Sequence, residues 1–174
     1  MPTLREPTFD SQGERIDNTW LIVRDPAAQA ADVEDVTQDL VVPLSYWQAN
    51  TSTLLSHTGR IGVWLSPDDD PLALAASIAK LALVAVYFPA FNDGRGLSSA
   101  VLVRTRLKFT GDLRAIGDVR QDQLSYMRRC GFSSFTPPAD ANIDEISKGL
   151  VVMSDYYQGS VTDPAPLFRR RARS

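Results

Sequence analysis

The residues best suited to do chemistry are Asp93-Gly94-Arg95-Gly96. They follow an apolar run, Leu81 to Phe88, and lead into an apolar-periodic stretch that opens at Leu97. Glycines let backbone approach a ligand closely. The first N–H groups of a helix attract anions, and a guanidinium adds a forked positive charge. Together they describe a cradle for an oxyanion or a phosphate. The plainer alternative is a tight turn in which Asp93 caps the helix and Arg95 faces water. Other helix starts carry capping signatures of their own: Asp70-Pro71, Asp118-x-x-Gln121 and Asn142-x-x-Glu145. The start after Gly96 has no such box, which leaves its first amides free for a ligand unless Asp93 takes them.

Further polar residues fall on faces that should be apolar. Arg104 shares a helical face with Leu97, Ala100, Val101 and Leu107, where a guanidinium must be paired. It reads as a second anion clamp, as the partner of Asp122 or another acid, or as a stem that snorkels outward. Arg114 and Asp118 share a strand face with Ile116, opposite Leu113, Ala115 and Gly117. In a parallel sheet covered on both sides, Arg114 is buried or points along the sheet toward a pocket. Asp118 and Asp122 are candidate general acid/base groups, with a helix cap as the alternative for Asp118. Gln123 lies among Val119, Tyr126, Met127 and Cys130 and is expected to bond loop backbone. Cys130 joins that apolar stripe as a structural thiol, and Arg128, Arg129 and Gly131 suit a helix C-terminus.

These residues need elements to position them. Thr19 to Val23 and Leu40 to Leu44 read as short strands, and Tyr46 to Leu55 as a helix. From Arg60 a regular alternation begins: strand Ile61–Leu65, helix Asp70–Leu81, strand Leu83–Phe88, helix Leu97–Leu107, strand Leu113–Gly117, helix Val119–Cys130, strand Ser133–Phe135, and a helix from Asn142 to about Tyr157. The predicted class is α/β: four consecutive βα units with a parallel sheet, preceded by a short N-terminal β/α extension. A half (β/α) barrel and a small doubly wound sheet both fit, and in both the functional edge lies at the carboxyl ends of the strands. Residues 1–18 read as a loose arm, 19–160 as a single α/β domain, and 161–174 as a disordered basic tail. A half barrel leaves two open sheet edges, which a homodimer would cover.

The chain has 174 residues, one cysteine and one histidine, His57, which excludes an internal disulfide and disfavours Cys- or His-based metal sites. Asp68-Asp69-Asp70 reads as a capped helix entry rather than a cation site. With no G-x-S-x-G, G-x-G-x-x-G or G-x-x-x-x-G-K pattern, no cofactor is expected. No apolar run is long enough to span a bilayer and no leader pattern is present, so a cytoplasmic protein without membrane contact is expected. Net charge is −3, but Asp93 to Arg129 holds eight bases against four acids. That centre favours a small anionic ligand, while the acidic remainder argues against nucleic acid.

The block from Phe88 to Phe135 resembles an uncharacterised bacterial family, domain of unknown function 934. The resemblance rests on Phe88-Pro89-Ala90-Phe91, Asp93-Gly94-Arg95-Gly96, Ser98, Arg104, Leu113-Arg114-Ala115, Gly117-Asp118-Val119, Asp122-Gln123-Leu124 and Met127 to Phe132. Leu97, Val101 and Ser133 depart from the family pattern. The resemblance implies a context in assimilatory sulfite reduction, a label of oxidoreductase, and a sulfite reductase subunit as partner. Two functions follow as expectations. One is an accessory or anion-binding protein whose site comprises Asp93, Gly94, Arg95, Gly96, Ser98, Arg104 and Arg114. The other is an enzyme on a small anionic metabolite, with Asp118 or Asp122 moving a proton. Trp47, the helix faces and the tail are the expected docking surfaces.

Overall fold

Strand β3 (Leu21–Ile22) begins a run of six parallel strands that lie side by side in chain order: β4 (Leu40–Pro43), β5 (Ile61–Leu65), β6 (Leu83–Phe88), β7 (Asp112–Gly117) and β8 (Ser134–Thr136). Two strands from the N-terminus, β1 (Thr8–Asp10) and β2 (Arg15–Ile16), extend the β8 edge antiparallel, giving the order β2-β1-β8-β7-β6-β5-β4-β3. The computed structural model describes residues 6–27, 29, 33–150, 158–166 and 169. Among these residues the α-helices are α1 (Leu44–Leu55), α2 (Arg95–Thr105), α3 (Gln121–Arg129) and α4 (Ile143–Gly149).

A doubly wound sheet needs a reversal of strand order, with helices on both faces. Here the order never reverses. Buried side chains of every helix — Trp47, Leu54, Ala100, Val103, Leu124, Met127 and Ile146 — join one cluster with Val42, Val63, Val84, Val86, Leu113, Ala115 and Phe135 from the strands. The opposite face carries a separate cluster of Trp20, Val41, Leu83, Ala85 and Ile116, with Ile22, Trp64 and Tyr87 against it and no helical residue. Right-handed crossovers that all fall on one side curl the sheet, and the result is a half barrel. The strand period of two sorts the side chains: even-numbered residues of β7 face the hollow and odd-numbered ones face the helices.

Two local readings need correction. The Asp70–Leu81 helix is two 3-10 turns, Pro71–Leu74 and Ile78–Lys80. Asp70 does cap the first, accepting the Leu72 N–H at 2.9 Å. Ser77 breaks the continuation: its N–H bonds Leu74 O at 2.9 Å, three residues back, and its hydroxyl accepts from the Trp47 indole at 3.1 Å. That bond also buries Trp47, at 2% exposure, and removes it as a docking residue. The expected loose arm is ordered from residue 6: Asp10 accepts the N–H groups of Gln12 and Glu14, and Gly13 turns at φ 85° to close the β1–β2 hairpin. The last helix is described from Ile143 to Gly149; residues 151–157, on which the expected run to about Tyr157 falls, and residues 167–168 and 170–174 of the basic tail lie outside the described residues. The described start of the tail is held, the Val161 N–H bonding Arg129 O at 3.1 Å.

Strands β2 and β3 sit at opposite ends of the sheet, so the residues that join them must cross the hollow. Asn18 and Trp20 do so. Asn18 accepts from Arg114 at 3.0 Å, and Trp20 is buried beneath the Arg60 guanidinium, which stands 4.8 Å from its ring centroid. Arg60 is held in turn by Asp39, 2.6 Å away. This strap ties the two ends of the curl together. The outer edges are two residues long, and short edges blunt strand pairing, which weakens the reason for expecting a homodimer.

Candidate functional site

Below the strap the hollow is closed by paired polar groups. Arg114 is 3% exposed and donates to Ser134 Oγ at 3.0 Å, to Asn18 at 3.0 Å and to Asp112 at 2.8 Å. Burial pulls its basicity down, against the pull of Asp112. Asp112 also accepts from the hydroxyls of Ser133 and Ser134, each at 2.7 Å. Arg114 thus takes the buried alternative, paired with Asp112 within β7 and bonded across to Ser134 on β8.

One step up β7, at the carboxyl ends of the strands, the hollow opens into a cavity of about 200 Å³ lined by Ile22, Arg24, Trp64, Tyr87 and Ile116. Each wall residue is there by strand alternation. Ile22 and Arg24 follow Trp20 on the inward face of β3 and its extension. Trp64, Tyr87 and Ile116 are inward positions of β5, β6 and β7, with Tyr87 beside Ile116 in register. Trp64 and Tyr87 meet edge to face, 5.9 Å between centroids. The Trp64 indole donates to Val23 O at 2.9 Å, which fixes the ring as a wall. Arg24 supplies the charge, and its NH2 meets Glu6 at 3.1 Å. The arrangement can hold a small planar group between apolar walls and offer it one guanidinium. No motif marks these five residues; alternation within the strands, followed to their carboxyl ends, is the signal that finds them.

The glycine-flanked turn is built differently from the expected cradle. Arg95 donates from Nε and NH2 to Asp93, at 3.0 and 2.7 Å, and its NH1 reaches Asp68. The bonds from Asp93 hold Arg95 further toward its charged form, with Asp68 adding to them, and the same bonds lower the Asp93 carboxyl. The expectation of free leading amides is corrected: Asp93 accepts the Arg95 N–H at 3.2 Å, and the Leu97 N–H returns to Gly94 O. Gly96 is buried because α2 lies close on β6; a Cβ there would stand 2.8 Å from Phe88 and Val86 side-chain atoms. A Cβ on Gly94 would make only an ordinary contact, 3.8 Å from a Leu97 side-chain atom. Ser98 is exposed in a groove between α2 and α3 lined also by Leu97, Val101, Leu102, Tyr126 and Cys130.

Arg104 pairs with no acid among the described residues, neither Asp122 nor another. It donates to three carbonyls instead, Gly131 at 2.9 Å, Phe109 at 2.7 Å and Gly111 at 2.9 Å, which gather where α2 and α3 end. Asp118 does not cap α3; it accepts the Phe91 N–H at 3.0 Å and the Arg120 Nε–H, pinning the loop after β6. Gln123 donates to Phe91 O, the loop-backbone role expected of it. Asp122 is exposed in the first turn of α3, a favoured place for an acid. Cys130 is 6% exposed and burial pushes its thiol up, so it is not poised as a nucleophile. None of the seven expected anion ligands, nor Asp118 or Asp122, lines the mouth. The Asp68-Asp69-Asp70 run divides its work: Asp68 meets Arg95, Asp69 accepts the Ser66 N–H, and Asp70 caps a turn.

No helix among the described residues is long and apolar enough to cross a membrane. Among curated proteins none matches the chain. The sequence model of a bacterial protein family of unknown function matches residues 62–168, a stretch that carries β6 to β8, α2 to α4 and the mouth residues Trp64, Tyr87 and Ile116. With more than half of its length matched, the chain belongs to that family, DUF934.

Proposed function

We propose that this protein is a binding protein for a small anionic ligand, seated in the concave mouth at the carboxyl ends of its strands and accessory to assimilatory sulfite reduction. One observation carries the site: among the described residues, the strap and the Arg114 network cross the hollow below, and at the carboxyl ends of the strands Trp64, Tyr87, Ile22 and Ile116 surround a cavity with Arg24 at its edge. Barrel-type folds place ligands at this end, and a concave, mostly apolar pocket with one convergent charge is the usual form of a small-molecule site. The rim at Arg95 is the weaker seat, because two carboxylates of the chain already hold that guanidinium. The metabolic context comes from the family resemblance alone.

The test is a thermal-shift and titration panel of sulfite, sulfate, phosphate and small carboxylates on wild type and two variants. Ile22→Trp fills the mouth from its exposed edge; Arg95→Ala removes the rim cation. Stabilisation by at least one anion, lost in Ile22→Trp and kept in Arg95→Ala, is the expected result. Loss in Arg95→Ala with Ile22→Trp unaffected would return the site to the rim. Copurification with a sulfite reductase subunit checks the accessory role.

A further inference from the structure

The mouth has a size, a wall chemistry and a competitor for its one charge, and these narrow what it takes. At about 200 Å³ it exceeds the volume that accepts a single benzene ring, roughly 150 Å³, by room for one small substituent. Its walls are two aromatic rings at 69° to each other and two isoleucines, surfaces suited to a flat apolar body rather than to a hydrated tetrahedral ion. The guanidinium of Arg24 presents a planar fork, which matches a carboxylate in two parallel hydrogen bonds.

Arg24 is not idle without a ligand. Glu6, just before β1, reaches it from the far end of the curl, across five intervening strands. The pair is solvated, with side chains 53% and 33% exposed, so it is held weakly and can be exchanged. Glu6 is anchored by its backbone instead: its carbonyl accepts from Asn18 at 3.1 Å and Thr8 at 3.3 Å. The carboxylate can therefore swing away while the chain stays in place. It is a stand-in anion at the one position where a ligand's anionic group would meet Arg24.

The geometry points to a planar, single-ring carboxylate as the ligand class, its ring lying against the wall of Trp64, Tyr87, Ile22 and Ile116 and its carboxylate taking Arg24 from Glu6. This rests on the mouth being the binding site. Glu6 holds Arg24 by a single bond from NH2 at 3.1 Å, whereas a ligand carboxylate takes two parallel bonds from the fork, and the ring adds apolar burial that Glu6 does not have.

Calorimetric titration of the full chain with benzoate, its neutral isostere benzamide and sulfate tests the assignment. In wild type, benzoate binds roughly tenfold tighter than benzamide, as one exchanged charge-assisted pair allows. Glu6→Gln removes the competitor and tightens benzoate several-fold without moving benzamide. Arg24→Gln brings benzoate down to the level of benzamide. Arg24 is exposed and Glu6 partly so, and melting curves confirm that each variant folds. Equal binding of benzoate and benzamide by wild type, or no change in Glu6→Gln, overturns the carboxylate assignment; if Ile22→Trp still abolishes that binding, the mouth stands. Sulfate binding as tightly as benzoate overturns the ring. Failure of all three probes on wild type and Glu6→Gln removes the mouth as well.

Discussion

Arg114 and Asn18 are 96 residues apart in sequence and 3.0 Å apart in space. That single bond joins the middle of β7 to the segment that crosses the hollow, so one buried guanidinium both closes the floor of the half barrel and fixes the strap. Its other partners, Asp112 and Ser134, belong to the sheet.

The Arg114 network should respond unequally to loss of its two charges. Asp112→Ala strands a guanidinium that is 3% exposed and is expected to cost about 3–5 kcal/mol, the range for breaking a buried pair from one side. Arg114→Met replaces the stem with an apolar one and leaves Asp112 with two hydroxyl donors, so it should cost clearly less. Urea unfolding at neutral pH checks the order. Equal losses would mean that the pair is not acting as a buried charge.

Acid stability should depend on Asp39. Its carboxyl is lowered from 3.8 to about 2, first by the hydrogen bond from Arg60 and also by the Arg60 amide and Thr19. A folded-state value below the unfolded one adds stability above about pH 4 and loses it as pH falls toward 2. Because Arg60 is half exposed, solvent screening reduces the contribution to about 1 kcal/mol. Asp39→Asn should lose that amount at neutral pH and show a flatter unfolding curve between pH 4 and 2.

The two glycines around Arg95 should behave differently. Gly94→Ala makes only an ordinary contact with Leu97, at 3.8 Å, and should change stability by no more than about 0.5 kcal/mol. Gly96→Ala drives a methyl into Phe88 and Val86 and should cost about 1–3 kcal/mol. Thermal unfolding of both variants distinguishes a packing glycine from a ligand-cradling one.

That contrast shows what was legible in the chain and what was not. Strands β5 and β6 fall where the apolar runs Ile61–Leu65 and Leu83–Phe88 place them, because a parallel strand buried on both faces is a continuous apolar run. The family was legible too, since its signature residues lie close together. The same pattern hid strands β1 and β2, which are short, polar and held by Asp10 and Gly13 rather than by an apolar stripe. Gly96 looked like a cradle because composition cannot say whether a ligand or Phe88 fills the space a side chain would occupy. Arg95 looked available because one of its two carboxylate partners, Asp68, is distant in sequence. The choice between half barrel and doubly wound sheet turned on which face each helix covers, which periodicity alone does not specify. The mouth was hidden for a related reason: Arg24, Trp64, Tyr87 and Ile116 become neighbours only once the sheet curls.

The central claim is that a ligand enters the concave mouth and not the rim at Arg95. Two-dimensional amide NMR during titration with benzoate measures this most directly. The account predicts that the Trp64 indole and the Tyr87 and Ile116 amides shift while Gly94, Arg95 and Gly96 stay still. Movement at Gly94 to Gly96 with Trp64 unmoved would contradict it.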